Sequence, residues 1–425
     1  MKKLALIVVA VGILVRVAGI FTDLWFDEIW SLKWGLYATS PVNLATVHRF
    51  KHDNNHLLNS AYIWLIGRQT YGPVYRLFSL ACGLGMLPLA YMLGKANRWT
   101  SLMLVAGCFQ LAFYSSEARG YIPAAFFALL AWLCIERFHE YGKWYDVLGF
   151  WAACILGLLA HLTFVYALAG FGLMSLRIGK VRDLLSLHTV PAAFTYALWQ
   201  EFARNLKVGG GPETGPSDAI LDYVHQLTGL SGDSTVWLWT ALAVISLLVV
   251  AYAKRQEAWL LAGVLVTPAL MLLVRNHYVY GRYFLLCTPF ILICLARSQF
   301  EPRKAVVLIT LWLTGQMVLL TEFVENGRGQ YDVMVAYMAD HGGGTVRTGQ
   351  VKDFGDSTLM GYHAKGRVRY VYTDDPDWLV YFTLENSVGP EMLKGGRYGR
   401  VKIYPYRGFS GTTWTLYRRI DEGTQ

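Results

Sequence analysis

The stretch LWFDEIWSLKWG, residues 24–35, directly follows the chain's first apolar run, MKKLALIVVAVGILVRVAGIF, residues 1–21. That run matches the ~20 residues an α-helix needs to cross the hydrocarbon core of a bilayer. The adjacent acids Asp27 and Glu28, set among Trp25, Trp30 and Trp34, then fall at a membrane edge. Reading the first run as a span decides the fold class, because its pattern recurs along the chain. Of the 425 residues, 55% are hydrophobic and only 16% charged, against roughly 25% charged in an average soluble domain. The composition points to an all-α polytopic bundle.

Apolar runs bounded by Lys and Arg predict spans near 4–22, 74–94, 100–116, 121–136, 146–160, 162–177, 187–201, 236–253, 257–274, 282–296 and 304–323, about eleven crossings. Lys2, Lys3, Lys95, Arg98, Arg137, Lys143, Arg177, Lys180, Arg182, Lys254, Arg255, Arg303 and Lys304 all fall on one side. The positive-inside rule makes that side cytoplasmic, with the N-terminus inside and the C-terminus outside. The same rule accounts for the net charge of +9 and removes the case for nucleic-acid binding. The N-terminal run offers no small-residue cleavage site after its apolar core, so it reads as an uncleaved first helix. All six cysteines (Cys82, Cys108, Cys134, Cys154, Cys287, Cys294) lie in apolar runs, where a thiol behaves as a small hydrophobe and implies neither a disulfide framework nor a CxxC metal site.

Two segments break the spanning pattern. Residues 57–72 would invert the basic loops if they crossed, so they predict an amphipathic helix on the outer surface. The loop 202–235 carries GGGPETGP followed by SDAILDYVHQLTGL, a second surface helix capped by Ser217 or Asp218. No Gly-Lys-Ser/Thr follows the glycines, so this is no phosphate-binding P-loop. From about residue 325, RVRYVYT, WLVYFTL, GRVKIYPY and TTWTLYRRI alternate like strands between glycines and aspartates. The expected domains are a transmembrane catalytic domain, 1–323, with outer loops 23–73 and 202–235, and a small α/β extracytoplasmic domain, 324–425.

On this topology the outer face gathers Asp27, Glu28, His52, Asp53, Asn54, Asn55, His56, Glu117, Arg119 with Tyr121, His161, Arg275, His277, and Arg282 with Tyr283. Ionisable groups at apolar helix ends cost several kcal/mol, so they line cavities or pair with one another. Ion pairs pinning helix ends would explain any one of them, but not the whole set on one face. A glycoside hydrolase needs two opposed carboxyls. A lipid-phosphate leaving group needs only positive charge, with one base to activate the nucleophile. Asp27 and Glu28 diverge by about 100° if helical, which suggests one catalytic acid and one structural one.

The order of DE after the first span, an NNH-type helix start, YRLFSLACG, YSSEARGY, a histidine ending a later helix, and GRYFLLCTPF resembles the GT-C superfamily of polyprenyl-phosphate-sugar glycosyltransferases. It is most similar to the family 39 group of protein O-mannosyltransferases and lipid A aminoarabinose transferases, over residues 1 to about 323. The resemblance implies transfer of a sugar from a polyprenyl-phosphate donor to a glycan, lipid or protein acceptor on the outer face of the cytoplasmic membrane, with inversion. It implies Asp27, with Glu28 beside it, as base or acceptor-binding group and Arg119 and Arg282, with Tyr283, on the donor phosphate. His52, Asp53, Asn55, His56, Glu117, Tyr121 and His161 are the candidate substrate contacts. Where family members often carry His-Pro-Pro, this chain has His56-Leu57-Leu58. Residues 325–425 match no family motif.

No cofactor is required on this reading. The alternative is a divalent metal near Asp27, His52 and His56, since imidazoles at i and i+4 share a helical face. The tryptophans read as an interfacial belt, with stacking on a sugar as the alternative, and TDDPDW (373–378) reads as a solvated turn rather than a calcium loop. Two rivals remain. A lipid-linked oligosaccharide ligase or polymerase would need a second cationic pair, which Arg275 and His277 offer; a flippase would show inverted repeats and broken helices meeting at mid-membrane.

Overall fold

A computed structural model describes residues 2–69, 71–178, 181–207, 215–229, 255–274, 279–298, 302–348, 354–383, 388–405 and 413–420. The expected span 236–253, Arg275 and His277 lie outside the described residues. The chain forms two compact units, one of residues 1–20 with 34–320 and the other of residues 21–33 with 321–425.

The first unit is helical. Its elements are α1 (Lys2–Gly19), the end of α2 (Phe26–Tyr37), α3 (Pro41–Thr46), α4 (Leu57–Ile66), α5 (Leu77–Leu93), α6 (Arg98–Gly107), α7 (Phe109–Ser115), α8 (Tyr121–Tyr141), α9 (Trp144–Ala160), α10 (Val165–Ile178), α11 (Val181–Glu201), α12 (Pro216–Thr228), α13 (Arg255–Val274), α14 (Cys287–Arg297) and most of α15 (Pro302–Asn326). Among the described residues, Gly72–Leu93, Tyr121–Tyr141 and Val306–Asp340 are long and apolar enough to cross a membrane.

Four sequence expectations are corrected in detail. The helix expected over 57–72 stops at Ile66, because Gly67 turns out of it at φ +66°, a conformation glycine adopts without penalty. The helix in the second loop starts at Pro216 with Gly215 as its cap. Asp218, three positions in, accepts from the Gly215 N–H at 3.4 Å instead of capping directly. The strand expected over RVRYVYT shrinks to Arg369–Tyr370. The expected span 100–116 is broken at Cys108, between α6 and α7.

In an apolar surrounding, a helix break needs partners for the backbone groups it frees. Arg16, buried on α1, supplies them. Its Nη1 donates to the carbonyls of Gly12 at 2.9 Å and Ala106 at 2.8 Å, and its Nη2 to Val105 at 3.0 Å. From α15, Gln316 Oε1 accepts the Phe109 N–H at 2.7 Å. Farther along, α14, α8 and α13 are locked by Arg297. Its guanidinium takes both oxygens of Glu136, at 2.6 and 3.0 Å, and one of Glu257, at 2.9 Å, above the Trp132 ring.

The second unit carries β1 (Thr345–Thr348), β2 (Arg369–Tyr370), β3 (Trp378–Thr383), β4 (Met392–Leu393), β5 (Tyr398–Tyr404) and β6 (Thr413–Arg419), with α16 (Tyr331–Asp340) and α17 (Phe354–His363). The strands form a six-stranded sheet of order β2-β1-β3-β6-β5-β4. β1 is parallel to both neighbours and the remaining pairs are antiparallel. Leu379, Tyr398 and Tyr417 are fully buried at its core. Residues 21–33, placed in the transmembrane domain by sequence, are stitched into this unit. His363 Nε2 donates to the Leu24 carbonyl at 2.8 Å, Asp23 accepts the Asp332 N–H at 2.9 Å, and Arg328 donates to Thr22 Oγ1 at 2.8 Å.

Candidate functional site

The turn that connects α7 to α8, Ser116–Gly120, is buried and nonhelical. Asn59 on α4 donates to the Ala118 carbonyl at 2.8 Å and Ser79 on α5 to the Arg119 carbonyl at 3.0 Å, so the turn is fixed by side chains of two helices. Gly120 is required here. A Cβ on it would collide with the Ala160 carbonyl oxygen and come within 3.0 Å of the His56 Cβ.

The turn aims Arg119 into a polar pocket. Its Nη2 donates to Asn54 Oδ1 at 2.5 Å, its Nε to His56 Nε2 at 3.1 Å, and its Nη1 lies 3.9 Å from Glu117 Oε1. The guanidinium sits 5.0 Å from the Tyr121 ring centre. Glu117 is fully buried and Arg119 is 3% exposed. His56 and His161 stack at 4.7 Å, and Tyr121 packs against both, at 5.3 and 4.3 Å. His161 ends α9, and its Nδ1 accepts the Thr163 N–H at 3.1 Å, which places the proton of the neutral ring on Nε2. His56 accepts from Arg119 through Nε2 and bonds the Ala160 backbone, which places its proton on Nδ1. Burial first, then the charge of Arg119, pushes both imidazoles well down from the usual histidine range, and Arg282 adds to it. Both rings are neutral at pH 7 for these reasons.

Arg282 stands in the turn Gly281–Phe284, its guanidinium 4.5 Å from the Tyr280 ring centre. Its neighbour across the turn is one the sequence reading missed. Asp222, on α12, approaches so closely that a Cβ on Gly281 would lie 2.9 Å from its Oδ2. Asp222 itself is exposed on α12, and Arg282 lies within its electrostatic reach. α12 is held in place by a polar relay in which Gln110 donates to the Tyr223 carbonyl at 3.0 Å and accepts from Thr288 at 2.7 Å. The signal in sequence was faint: one acid between the inward positions Ala219 and Tyr223 of an amphipathic helix.

The other expected residues divide. Asn55 is a loop staple, with its Nδ2 on the Leu44 and Phe50 carbonyls at 3.0 and 2.8 Å and its Oδ1 on Ser60 at 2.7 Å. Asp53 pairs with His52 at 2.7 Å, and its N–H donates to the Lys207 carbonyl at 3.0 Å, joining the segment before α4 to the one after α11. Tyr283, beside Arg282, lies within electrostatic reach of Asp53. His52 and His56 do not share a helical face, because residues 51–56 are irregular and α4 begins only at Leu57. Among the described residues, no group of three His, Cys, Asp or Glu side chains is placed to hold a metal ion. Asp27 and Glu28 lie in the first turn of α2, among the residues of the second unit. Glu28 is fully buried and its Oε2 accepts the Trp25 N–H at 3.2 Å, while Asp27 is partly exposed.

Comparison with known proteins adds the fold. The structure superposes on the crystal structure of ArnT from Cupriavidus metallidurans in the apo state with a TM-score of 0.55, covering 99% of both chains at 11% identity. The two share one fold. The likeness of fold extends through the C-terminal residues as well as the helical part. No family model and no curated protein sequence matches the chain.

Proposed function

We propose that this chain is a glycosyltransferase of the cytoplasmic membrane that moves a sugar from a polyprenyl-phosphate carrier to an acceptor hydroxyl or amine on the outer face. The reading is carried by the buried Arg119 guanidinium held against His56, Asn54 and Tyr121, with Arg282 within electrostatic reach of the stacked His56 and His161 rings, in a fold shared with ArnT. Arg119 is pre-oriented by Asn54, His56 and Tyr121, and Arg282 acts on the same pair of imidazoles. A planar guanidinium can take two phosphate oxygens at once. Neutral imidazoles add hydrogen bonds without repelling the arginines.

In the proposed step the acceptor oxygen forms a bond to the anomeric carbon as its proton passes to Asp27. The carbon–oxygen bond to phosphate breaks, the electron pair leaves on the lipid phosphate, and Arg119 and Arg282 stabilise that charge. A single displacement inverts the anomeric centre. Asp27 is assigned from its place in the order of motifs, with Glu28 holding the start of α2 through Trp25.

The test uses the full chain in lipid with a radiolabelled polyprenyl-phosphate sugar and an envelope extract. Wild type should pass label to an acceptor and Asp27→Asn should not. Equal transfer by both would show that Asp27 is structural, and sugar-lipid crossing the bilayer without transfer would indicate a flippase.

A further inference from the structure

The second unit holds a polar cavity that the transfer reaction does not use. It has a volume of about 130 Å³ and is lined by His341, Gly342, Gly343, Asp377, Arg418 and Arg419, with Trp378 at its base. At ~30 Å³ per water this is room for roughly four waters. Gly342, Gly343 and Gly344 run at φ +106°, +60° and +96°, three positive angles in a row that bring bare backbone to the rim.

The charges around the cavity do not cancel. Asp377 is spoken for: its Oδ2 accepts the N–H and the hydroxyl of Thr345, each at 2.8 Å, and its Oδ1 lies 3.5 Å from Arg419 Nη2. Arg418 stands opposite Trp378 in the β3–β6 ladder and its guanidinium lies 5.2 Å from that ring's centre. Among the described residues it pairs with no carboxylate. His341 stacks on Tyr337 at 4.0 Å, and its Nδ1 is 2.8 Å from the Tyr337 carbonyl. A carbonyl only accepts, so Nδ1 carries the hydrogen and Nε2 is the nitrogen left for a ligand.

We propose that this cavity binds an oxyanion, the phosphate monoester of a sugar phosphate or of a lipid headgroup, with Arg418 and Arg419 on its oxygens and His341 Nε2 as a third contact. Arg418 lies over the Trp378 ring at 5.2 Å, and a planar guanidinium can meet a tetrahedral anion through two N–H groups. With its second ionisation near pH 6, a phosphate monoester at neutral pH is mostly the dianion, so its oxygens accept from both arginines. Its lining shares no residue with the Arg119 cluster, and the proposal does not depend on the glycosyl-transfer reading.

The test follows histidine ring ¹³C signals of the full chain in phosphatidylcholine nanodiscs, with the His341 signal identified by its loss in His341→Gln. Titration with glucose 1-phosphate at pH 7.5 should shift that signal to saturation, while chloride at matched ionic strength should not. Phosphatidic acid in the nanodisc producing the same shift without added sugar phosphate would name the lipid as the source. Arg418→Gln keeps the stem over Trp378 and should weaken binding about tenfold or more, since a charge-assisted hydrogen bond is lost. A His341 signal that ignores both phosphates, that follows chloride equally, or that titrates unchanged in a folded Arg418→Gln protein would overturn the proposal. If Arg418→Gln fails to fold, Arg419→Gln takes its place under the same criteria.

Discussion

Substituting alanine for glycine at two positions of the helical unit should change stability in opposite directions. At Gly120 the new methyl would strike the Ala160 carbonyl oxygen, with the carbonyl carbon at 2.8 Å and His56 Cβ at 3.0 Å. Two of the three neighbours are backbone, so no rotamer change relieves the clash. Overpacking a fixed core costs about 1–3 kcal/mol, and the upper end applies because α9 or the 116–120 turn must shift. At Gly172, inside α10, an added Cβ meets nothing within 4 Å, and alanine in a helix interior gains up to about 1 kcal/mol over glycine. The assay is reversible denaturant unfolding in mixed micelles, followed by tryptophan fluorescence. Gly120→Ala should lose stability and, since His56 and Arg119 are displaced with the turn, should also lose donor-phosphate binding. Gly172→Ala should hold or gain stability with binding intact. A Gly120→Ala protein as stable as wild type and still binding donor would refute the close approach on which the site's geometry depends.

Other consequences are simpler to read. Glu136→Ala leaves Arg297 with Glu257 as its remaining carboxylate partner, so the unfolding midpoint should fall, by less than the about 3–5 kcal/mol of a buried charge left with no partner. Arg119→Lys keeps the charge but loses the planar fork that meets Asn54 and His56 together; transfer should fall about a hundredfold, for a loss near 3 kcal/mol, and a fall of less than threefold would remove Arg119 from the phosphate. In the second unit, burial lowers the His363 imidazole, whose Nε2 proton serves the Leu24 carbonyl. Between about pH 6.5 and its lowered folded value the unfolded chain binds a proton that the folded one refuses, so stability should rise with pH through that window. Amide exchange of the segment 21–33 should quicken as pH drops below about 6.5, after correction for intrinsic rates. The dependence should flatten in His363→Gln.

The part of the fold legible in sequence is the part governed by hydropathy. Runs of apolar residues fixed α1, α5, α8, α9 and α10 to within a few residues, because an apolar helix leaves no other way to satisfy its backbone in lipid. The misreadings occur where a few specific hydrogen bonds override that pattern. The break at Cys108 is invisible to hydropathy, since both halves are equally apolar. It exists because Arg16 and Gln316, 92 residues before and 208 after it in sequence, arrive with the donors and acceptor that the freed backbone needs. An arginine inside the first apolar run was the available clue.

The candidate site divides along the same line. Arg119, His56, Tyr121 and His161 were legible because ionisable or aromatic groups at apolar helix ends have few inexpensive explanations, and the structure brings the four together around one guanidinium. Asn55 has the same chemical character yet spends both ends of its amide on the loop that carries His56, so residue type alone could not separate the pocket from its scaffold. Asp222 was hidden for the converse reason. It is one of several exposed polar residues on α12, and only its approach to Gly281 sets it apart. Whether a polar side chain works or braces is decided by which nitrogen or oxygen is already taken, and that count is made in three dimensions. By it, Arg119 is braced by Asn54 and His56, and Arg16 with three carbonyls is a repair to a helix.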